Sequence, residues 1–273
     1  ARDTNLPVYL DVDNLIDYHL LIFYSGSFDG PLSAFNPIAA SNNWYGVRNR
    51  TRDDRGWTFL IHDAEHSLGS WPSNTDDRTG PIWGGTVAQQ ESLERSNPQY
   101  IHQYLATNNE YKLRFADAAQ REFFNSGALT NGSVLGRLAT RKNTVADVIN
   151  AEATRWGDAQ DSNQSLKRTD WVNAVSNLED WIDDRNIAVL AQLEADGLFP
   201  ATEAPILSQH GGLISTGFFL NIANPNAGGS IYYTTDGSDP REIGGGINPT
   251  AIQASSFFIN TSQIINTRIR ISD

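Results

Sequence analysis

Five carboxylate and amide side chains lie in three short polar segments of the sequence: Asp29, Asn42, Asn43, Asp63 and Glu65. Asp29 follows a stretch that predicts a helix, and the asparagine pair precedes a β-prone segment. Asp63 and Glu65 come directly after a second β-prone run. Their oxygens are the hard ligands that Mg²⁺ prefers. The set could therefore hold a divalent metal beside a group that accepts a proton.

The order of these residues is the order that phosphoryl transfer on a kinase-like scaffold requires. One aspartate after a helix accepts the proton of the acceptor hydroxyl, and an asparagine downstream of it binds a metal. A second aspartate after a β-hairpin binds the metal that bridges the nucleotide phosphates. Asp and Asn are also common in turns, so a purely structural role for the same residues stays open.

The segment from His62 to His66 offers a different chemistry, because it matches the H-x-x-E-H pattern of inverzincin metalloproteases. The β-prone run 57–61 leads directly into this segment. A strand that continued through it would place the two histidines about 13 Å apart, at about 3.3 Å per residue. One zinc ion needs both imidazoles in its first coordination sphere, so the protease hypothesis requires a helical turn that starts at His62.

The elements that must position these residues are a helix, a hairpin and a group of further helices. Apolar residues at three- and four-residue steps predict a helix over residues 9–24, which Ser25-Gly26 ends. Residues 44–50 and 57–61 predict the two strands of a hairpin. From residue 97 to about 199 the pattern is mostly helical, with Pro98 at a helix start and helices predicted over residues 108–124, 130–156 and 170–193.

Composition excludes several classes of protein. The chain has 273 residues, of which 39% are hydrophobic, enough for a sizeable core. A net charge of −12 argues against a nucleic-acid partner, because phosphate binding needs clustered Lys and Arg. No run approaches the roughly 18 apolar residues of a membrane span. The sequence has no cysteine, which rules out disulfides and thiolate sites and fits an oxidising compartment.

The composition changes near residue 200. Beyond it, residues 218–222, 230–234 and 267–271 predict short strands, and Asp236 and Asp239 lie in turn signals. The two aspartates are turn residues or candidate Ca²⁺ ligands. We expect an α+β protein with a mostly helical domain over residues 1–200 and a small β-sandwich of immunoglobulin-like type over residues 201–273.

Several ordered motifs in the first part resemble the CotH kinase family, named for spore coat protein H. They comprise residues 11–18, Phe28-Asp29, the segment from Asn42 to Tyr45, and the segment from Gly56 to Gly69. The resemblance covers roughly residues 8–199. It implies a protein-kinase-like large lobe, and it implies ATP, Mg²⁺ (or Mn²⁺) and a Ser or Thr of a protein as phosphate acceptor.

The resemblance also implies a role for each candidate residue. Asp29 resembles the catalytic aspartate, and Asn42 or Asn43 resembles the amide partner that follows it. Asp63 resembles the metal-binding aspartate, and Glu65 stands where the family usually has a second acid. The expected ATP-binding residues are thus Asn42, Asn43 and Asp63, and the expected metal ligands are Asp63, Asn43 and Glu65.

The second part of the chain is similar to the small β-domain at the C-terminus of chitobiase and hexosaminidase-type enzymes. The run from Tyr233 to Arg241, which contains Thr-x-Asp-Gly-Ser-x-Pro, carries most of this similarity. The similarity implies an extracellular, multidomain bacterial protein, secreted or on the cell surface, with carbohydrate as a further candidate partner.

Two further expectations concern activity. The family's smaller N-terminal lobe, with its nucleotide-covering strands, is not found in this sequence, so we expect the fragment alone to be inactive. The alternative is an adhesion or glycan-binding module in which a pseudo-kinase serves as scaffold. In that alternative a groove lined by Trp71 and Trp83 would bind sugar.

Overall fold

A computed structural model describes residues 6–33, 40–52, 54–69, 77–79, 96–160 and 164–271. Tertiary contacts group these residues into two compact units, one on each side of the junction between Phe199 and Pro200. The first unit combines helices with one hairpin, and the second contains only strands, so the protein is α+β. None of the helices in the described ranges is both long and apolar enough to span a bilayer.

The helix at the centre of the first unit confirms the prediction over residues 9–24 with shifted ends. Helix α1 spans Val12–Ser25. It begins where the Asp11 side chain accepts a hydrogen bond from the Asn14 backbone N–H, and it ends at Gly26, whose φ of 60° is left-handed. Eight of its fourteen residues are buried: Leu15, Ile16, Tyr18, His19, Leu20, Ile22, Phe23 and Tyr24. A helix buried on most sides is the core around which the other elements pack.

The predicted hairpin is present and is attached to α1. Strands β1 (Trp44–Val47) and β2 (Thr58–Ile61) are antiparallel. On α1, the Asn14 side-chain amide donates to the Phe59 carbonyl at 3.2 Å, and its oxygen accepts from the Phe59 backbone N–H. Asn14 thus replaces a neighbouring strand for one residue of β2. This pairing fixes the place where β2 ends and the polar segment after it begins.

Five helices follow among the described residues of the first unit. They are α2 (Pro98–Leu105), α3 (Asn109–Phe123), α4 (Asn131–Val145), α5 (Ile149–Gln160) and α6 (Arg168–Ala195). The single helix predicted over residues 130–156 is wrong. The chain turns at residues 146–148, where the Val148 N–H bonds to the Val145 carbonyl three residues back. Since α4 buries no residue, packing does not hold the two segments in one continuous helix.

The main core of the first unit surrounds α1 with aromatic and aliphatic side chains from α3, α6 and β2. One charged residue lies inside it. Arg185 of α6 has no exposed surface, and its guanidinium donates to the carbonyls of Tyr24, at 2.7 Å, and Phe23. These carbonyls belong to the last turn of α1, beyond its regular hydrogen bonds, and that of Phe23 also accepts from the Gly26 N–H. Arg185 therefore caps the helix that leads into the first polar segment.

The second unit consists of two three-stranded antiparallel sheets, in the orders β3-β4-β7 and β6-β5-β8. Their strands are β3 (Ile206–Leu207), β4 (Phe218–Ala223), β5 (Ser230–Thr234), β6 (Ile252–Gln253), β7 (Ser256–Ile259) and β8 (Asn266–Arg270). All three predicted strands are therefore confirmed, with ends shifted by at most one residue. A separate core contains Leu220, Ile222, Ile231, Tyr233 and Ile259. The immunoglobulin-like assignment stays a prediction.

Candidate functional site

The segment that carries Asp29 is held against the segment that carries Asp63. After α1 ends, the Phe28 N–H donates to the His66 carbonyl at 2.9 Å. The Leu68 N–H donates to the Ser25 carbonyl at 2.8 Å. Asp29 and Asp63, which are far apart in sequence, therefore lie on neighbouring stretches of backbone.

The carboxylate of Asp29 is surrounded by neutral donors. Its Oδ2 accepts hydrogen bonds from the side-chain amides of Asn42 and Asn43, both at 2.9 Å. Its Oδ1 accepts from the Ser33 hydroxyl. The group is half-buried and has no cationic partner within the part of the chain that the structure describes. These three neutral donors therefore fix the orientation of the carboxylate.

Asn43 connects this carboxylate to Asp63. Its amide nitrogen also donates to the Asp63 backbone carbonyl at 3.3 Å. Both residues have a φ of 49°, a left-handed conformation that Asn and Asp adopt more easily than other residues with a Cβ. The turn at Asp63 comes two residues after β2 ends and leaves its side chain exposed. Gly30 allows the close approach, because a Cβ there would lie 3.0 Å from the Asn43 carbonyl oxygen.

The structure thus brings Asp29, Asn42, Asn43 and Asp63 together from three segments of the chain. Glu65 lies two residues beyond Asp63 on an exposed loop, where its carboxylate is 3.6 Å from His66 Nε2. No described contact joins Glu65 to the other four residues, although it has interactions besides the one with His66. The roles of all five residues stay predictions.

The donor set fits a hard cation that is bound partly by the protein. The Asp63 carboxylate and the Asn43 amide oxygen are oxygen ligands, and the Asn43 nitrogen is already used as a donor. Within the described ranges, no three His, Asp or Glu side chains lie close enough to form a metal cage. Mg²⁺ is commonly held by one or two carboxylates together with phosphate oxygens and water. The chemistry of the residues is therefore compatible with Mg²⁺ that arrives on a phosphate ligand.

The zinc-protease alternative has no support in the geometry. The residues from His62 to His66 continue from β2 without forming a helix. The His62 ring instead packs edge-on against Tyr45, with ring centroids 4.7 Å apart. The helical turn that this hypothesis requires is absent from the described segment 62–66.

A cavity of about 600 Å³ lies beside the hairpin and is mostly apolar. Its lining includes Tyr9, Trp44 and Trp57, together with Gly46 and Phe59. Trp71 and Trp83, the two residues of the predicted sugar groove, lie outside the described residues. These aromatic side chains lie at β1, which begins immediately after Asn43.

A comparison with profiles of known protein families matches residues 2–189 to the family described as CotH kinase protein. The chain belongs to the CotH kinase family. The CotH match includes all five candidate residues, ends within α6 and leaves the β-strand unit outside. Searches of curated proteins and of solved structures found no match to the chain. The chitobiase-type identity of residues 201–273 stays a prediction.

Three residues that support the site were not predicted from the sequence: Ser33, Asn97 and Arg185. Ser33 donates to Asp29, and Arg185 caps the helix before it. Asn97 bonds to the segments on either side of the Asp29–Asn42 contact. The Asn97-Pro98 pair carried the signal of a helix start, but nothing local indicated these distant partners.

Proposed function

We propose that this CotH-family chain belongs to a Mg²⁺- or Mn²⁺-dependent protein kinase that transfers the γ-phosphate of ATP to a Ser or Thr hydroxyl. The observation that carries the proposal is the Asp29 carboxylate, oriented by Asn42 and Asn43 and joined through Asn43 to Asp63. Phosphoryl transfer depends mainly on such positioning and on charge stabilisation.

In the proposed reaction, Asp29 orients the acceptor hydroxyl and takes its proton. The acceptor oxygen forms a bond to the γ-phosphorus while the bond to the β,γ-bridging oxygen breaks, and ADP leaves. Asp63 and the Asn43 amide oxygen hold the divalent metal, and Glu65 is a further candidate ligand. The metal supplies positive charge to the phosphate oxygens. Because Asp29 has only neutral partners, its charge remains available for the acceptor hydroxyl.

Metal-dependent ATP binding tests the proposal. Calorimetry should show ATP binding that requires Mg²⁺, and Asp63→Ala should abolish it. Asp29→Asn, which keeps an acceptor oxygen for the Asn42 and Asn43 amides, should retain that binding, because the Asp29 charge is assigned to the acceptor hydroxyl rather than to the nucleotide. Asp54→Ala is the matched control, since Asp54 is an exposed acid of the hairpin turn that pairs with Arg52. Unchanged ATP affinity in a folded Asp63→Ala protein would refute the site.

The cavity beside β1 supports one rival function. A glycan-binding module on a pseudo-kinase scaffold would use aromatic faces such as Trp44 and Trp57 as a platform. Titration with a panel of saccharides distinguishes the two functions. Saccharide binding by a protein that shows no Mg²⁺-dependent ATP affinity would favour this rival.

The location of the protein is part of the same proposal. An extracellular bacterial setting, secreted or on the cell surface, is supported by the absence of cysteine. It is also supported by the chitobiase-like pattern after residue 230. Fractionation of the source cells tests this location.

A further inference from the structure

Asn97 is a buried polar residue for which the proposed reaction has no direct use. It precedes α2 and has no exposed surface. Its Oδ1 accepts from the Gln99 N–H at 2.8 Å, which caps the helix. Its Nδ2 donates to the Pro31 carbonyl at 2.9 Å and to the Ser41 hydroxyl oxygen at 3.0 Å. One side chain thus makes three hydrogen bonds, two of which leave its own helix.

Both external partners lie next to the candidate site. Pro31 is two residues after Asp29, and its carbonyl also accepts from the Asn42 N–H at 3.0 Å. Ser41 directly precedes Asn42, and Leu32 and Ser41 form an antiparallel bridge. The amide of Asn97 therefore lies where the segment leaving Asp29 meets the segment entering Asn42.

The helix that carries Asn97 is itself firmly placed. Pro98 occupies the first turn of α2, where its fixed φ favours the helix. One turn further on, the His102 ring stacks on His19 of α1, with centroids 4.4 Å apart. His102 Nδ1 lies 2.7 Å from the Tyr111 hydroxyl of α3. Asn97 is thus anchored on a helix that packs against both α1 and α3.

We propose that Asn97 is a positioning residue that sets the spacing between Asp29 and the Asn42–Asn43 pair. Its two donated bonds hold the backbone on both sides of the Asp29–amide contacts, and α2 carries that constraint from the core. The inference rests on the proposed function only in its effect on metal and nucleotide binding. The claim that Asn97 positions the side-chain amides of Asn42 and Asn43 does not depend on the proposed function.

The substitution Asn97→Asp separates the two tasks of this residue. The new carboxylate keeps an oxygen for the Gln99 N–H and so keeps the helix cap. It cannot donate to Pro31 or Ser41, and its charge faces two oxygens. The control is Asn108→Asp, because the exposed Asn108 also caps a helix through its side-chain oxygen but has no hydrogen bond to a residue of the site.

Two readouts are measured on the full chain. The first is the NMR signals of the Asn42 and Asn43 side-chain amides, assigned by their loss in Asn42→Asp and Asn43→Asp. In Asn97→Asp these signals should shift and exchange faster with solvent, while Asn108→Asp leaves them unchanged. The second is Mg²⁺-dependent ATP affinity, which should fall about tenfold or more, the usual effect of losing an outer partner of a metal site.

The outcomes separate failure of the inference from failure of the proposed function. Unchanged amide signals in folded Asn97→Asp would overturn the inference, whatever the ATP affinity. Absence of ATP binding in the wild-type chain would count against the proposed function, and the amide signals would still decide the inference. If Asn97→Asp does not fold, Ser41→Ala replaces it. The exposed Ser41 hydroxyl oxygen accepts from both Asn97 Nδ2 and Trp44 Nε1, so Trp44→Phe is measured beside it as the control. Smaller shifts in the same two signals are then expected, and their absence would overturn the inference.

Discussion

Aspartates in turns occur in both units of this protein, but their partners differ in charge. In the helical unit, Asp29 receives hydrogen bonds from two amides and a hydroxyl. In the β-strand unit, Asp239 is paired with Arg268, which donates to both of its oxygens at 2.6 Å. The first carboxylate is oriented and keeps its charge, whereas the second is neutralised. Residue type and turn context alone do not distinguish an oriented acid from a structural one.

The pKa of Asp239 is consistent with a structural role. Partial burial pushes this pKa up, but hydrogen bonds and charge from Arg268 and Arg241 outweigh burial, so the pKa lies below its usual value. The partner of Asp236 is only two residues away, since its carboxylate accepts hydrogen bonds from the backbone N–H and the hydroxyl of Ser238. Of the two hypotheses for these aspartates, the geometry thus favours turn residues over Ca²⁺ ligands.

The two units also differ in the residues that report on their unfolding. All 7 tryptophans lie before residue 200, so tryptophan fluorescence follows the helical unit. Backbone hydrogen exchange at β5 and β8 follows the other unit. The contrast between the two units can therefore be tested by substitutions that should change either tryptophan fluorescence or hydrogen exchange and leave the other measurement unchanged.

The largest expected effect is a loss of stability of the helical unit in acid. His19 and His102 are fully buried and stacked. Burial lowers the pKa of His19 to about 4, although bonds to Leu15 and Gln99 oppose the shift, and burial and His19 lower the pKa of His102. Below pH 6.5 the unfolded chain then binds more protons than the native chain, so stability falls as pH falls. Between pH 6.5 and 5 the His19 imidazole should cost about 2 kcal/mol, and His102 adds to the loss in the same direction.

Urea unfolding followed by tryptophan fluorescence at pH 7 and pH 5 measures this loss. The substitution His102→Phe keeps an aromatic ring against His19 and should reduce the pH dependence of the unfolding free energy, leaving the part that His19 contributes. The control is His210→Asn, since His210 is exposed in the β-strand unit. An unfolding free energy that is equal at the two pH values would show that the pair is not buried in its neutral form.

The next effect in size concerns Arg185. Its guanidinium bonds to the carbonyls of Tyr24 and Phe23, which precede it by 161 and 162 positions in the sequence. Arg185→Met should destabilise the helical unit by about 3 kcal/mol, because the Tyr24 carbonyl loses its guanidinium donor and the Phe23 carbonyl is left with the Gly26 N–H. The matched control is Arg155→Met, since Arg155 lies over the exposed Trp156 ring and should cost at most about 0.5 kcal/mol. Similar midpoints of tryptophan-monitored unfolding for the two variants would contradict the capping role of Arg185.

Local sequence patterns predicted most of the elements that frame the site. The end of α1 at Gly26, the hairpin and the strands β4, β5 and β8 depend on short-range periodicity and turn chemistry, and the structure confirms them. The helix predicted over residues 130–156 was wrong, because a helical pattern does not show that the apolar side chains of α4 are only partly buried against the core. Tertiary contacts, rather than the local pattern, determine that α4 ends at Val145.

The supporting residues of the site could not be predicted in this way. Asn14, Asn97 and Arg185 act on backbone groups 45, 66 and 161 residues away. Their own neighbours in sequence carry no trace of those partners. Polar residues of this kind become visible only when burial and hydrogen bonding are known, since a buried polar group requires a partner.

The smallest expected effect tests whether Asp239, in contrast to Asp29, has a purely structural role. Asp239→Asn keeps one acceptor oxygen but removes the charge that Arg268 neutralises. The two side chains are 43% and 23% exposed, so solvent screens the pair and the loss should be about 1 kcal/mol. Hydrogen exchange at β5 and β8 should become faster, while the tryptophan-monitored transition and Mg²⁺-dependent ATP affinity stay unchanged. A drop in that affinity would mean that Asp239, although neutralised, serves the site, and the contrast with Asp29 would fail.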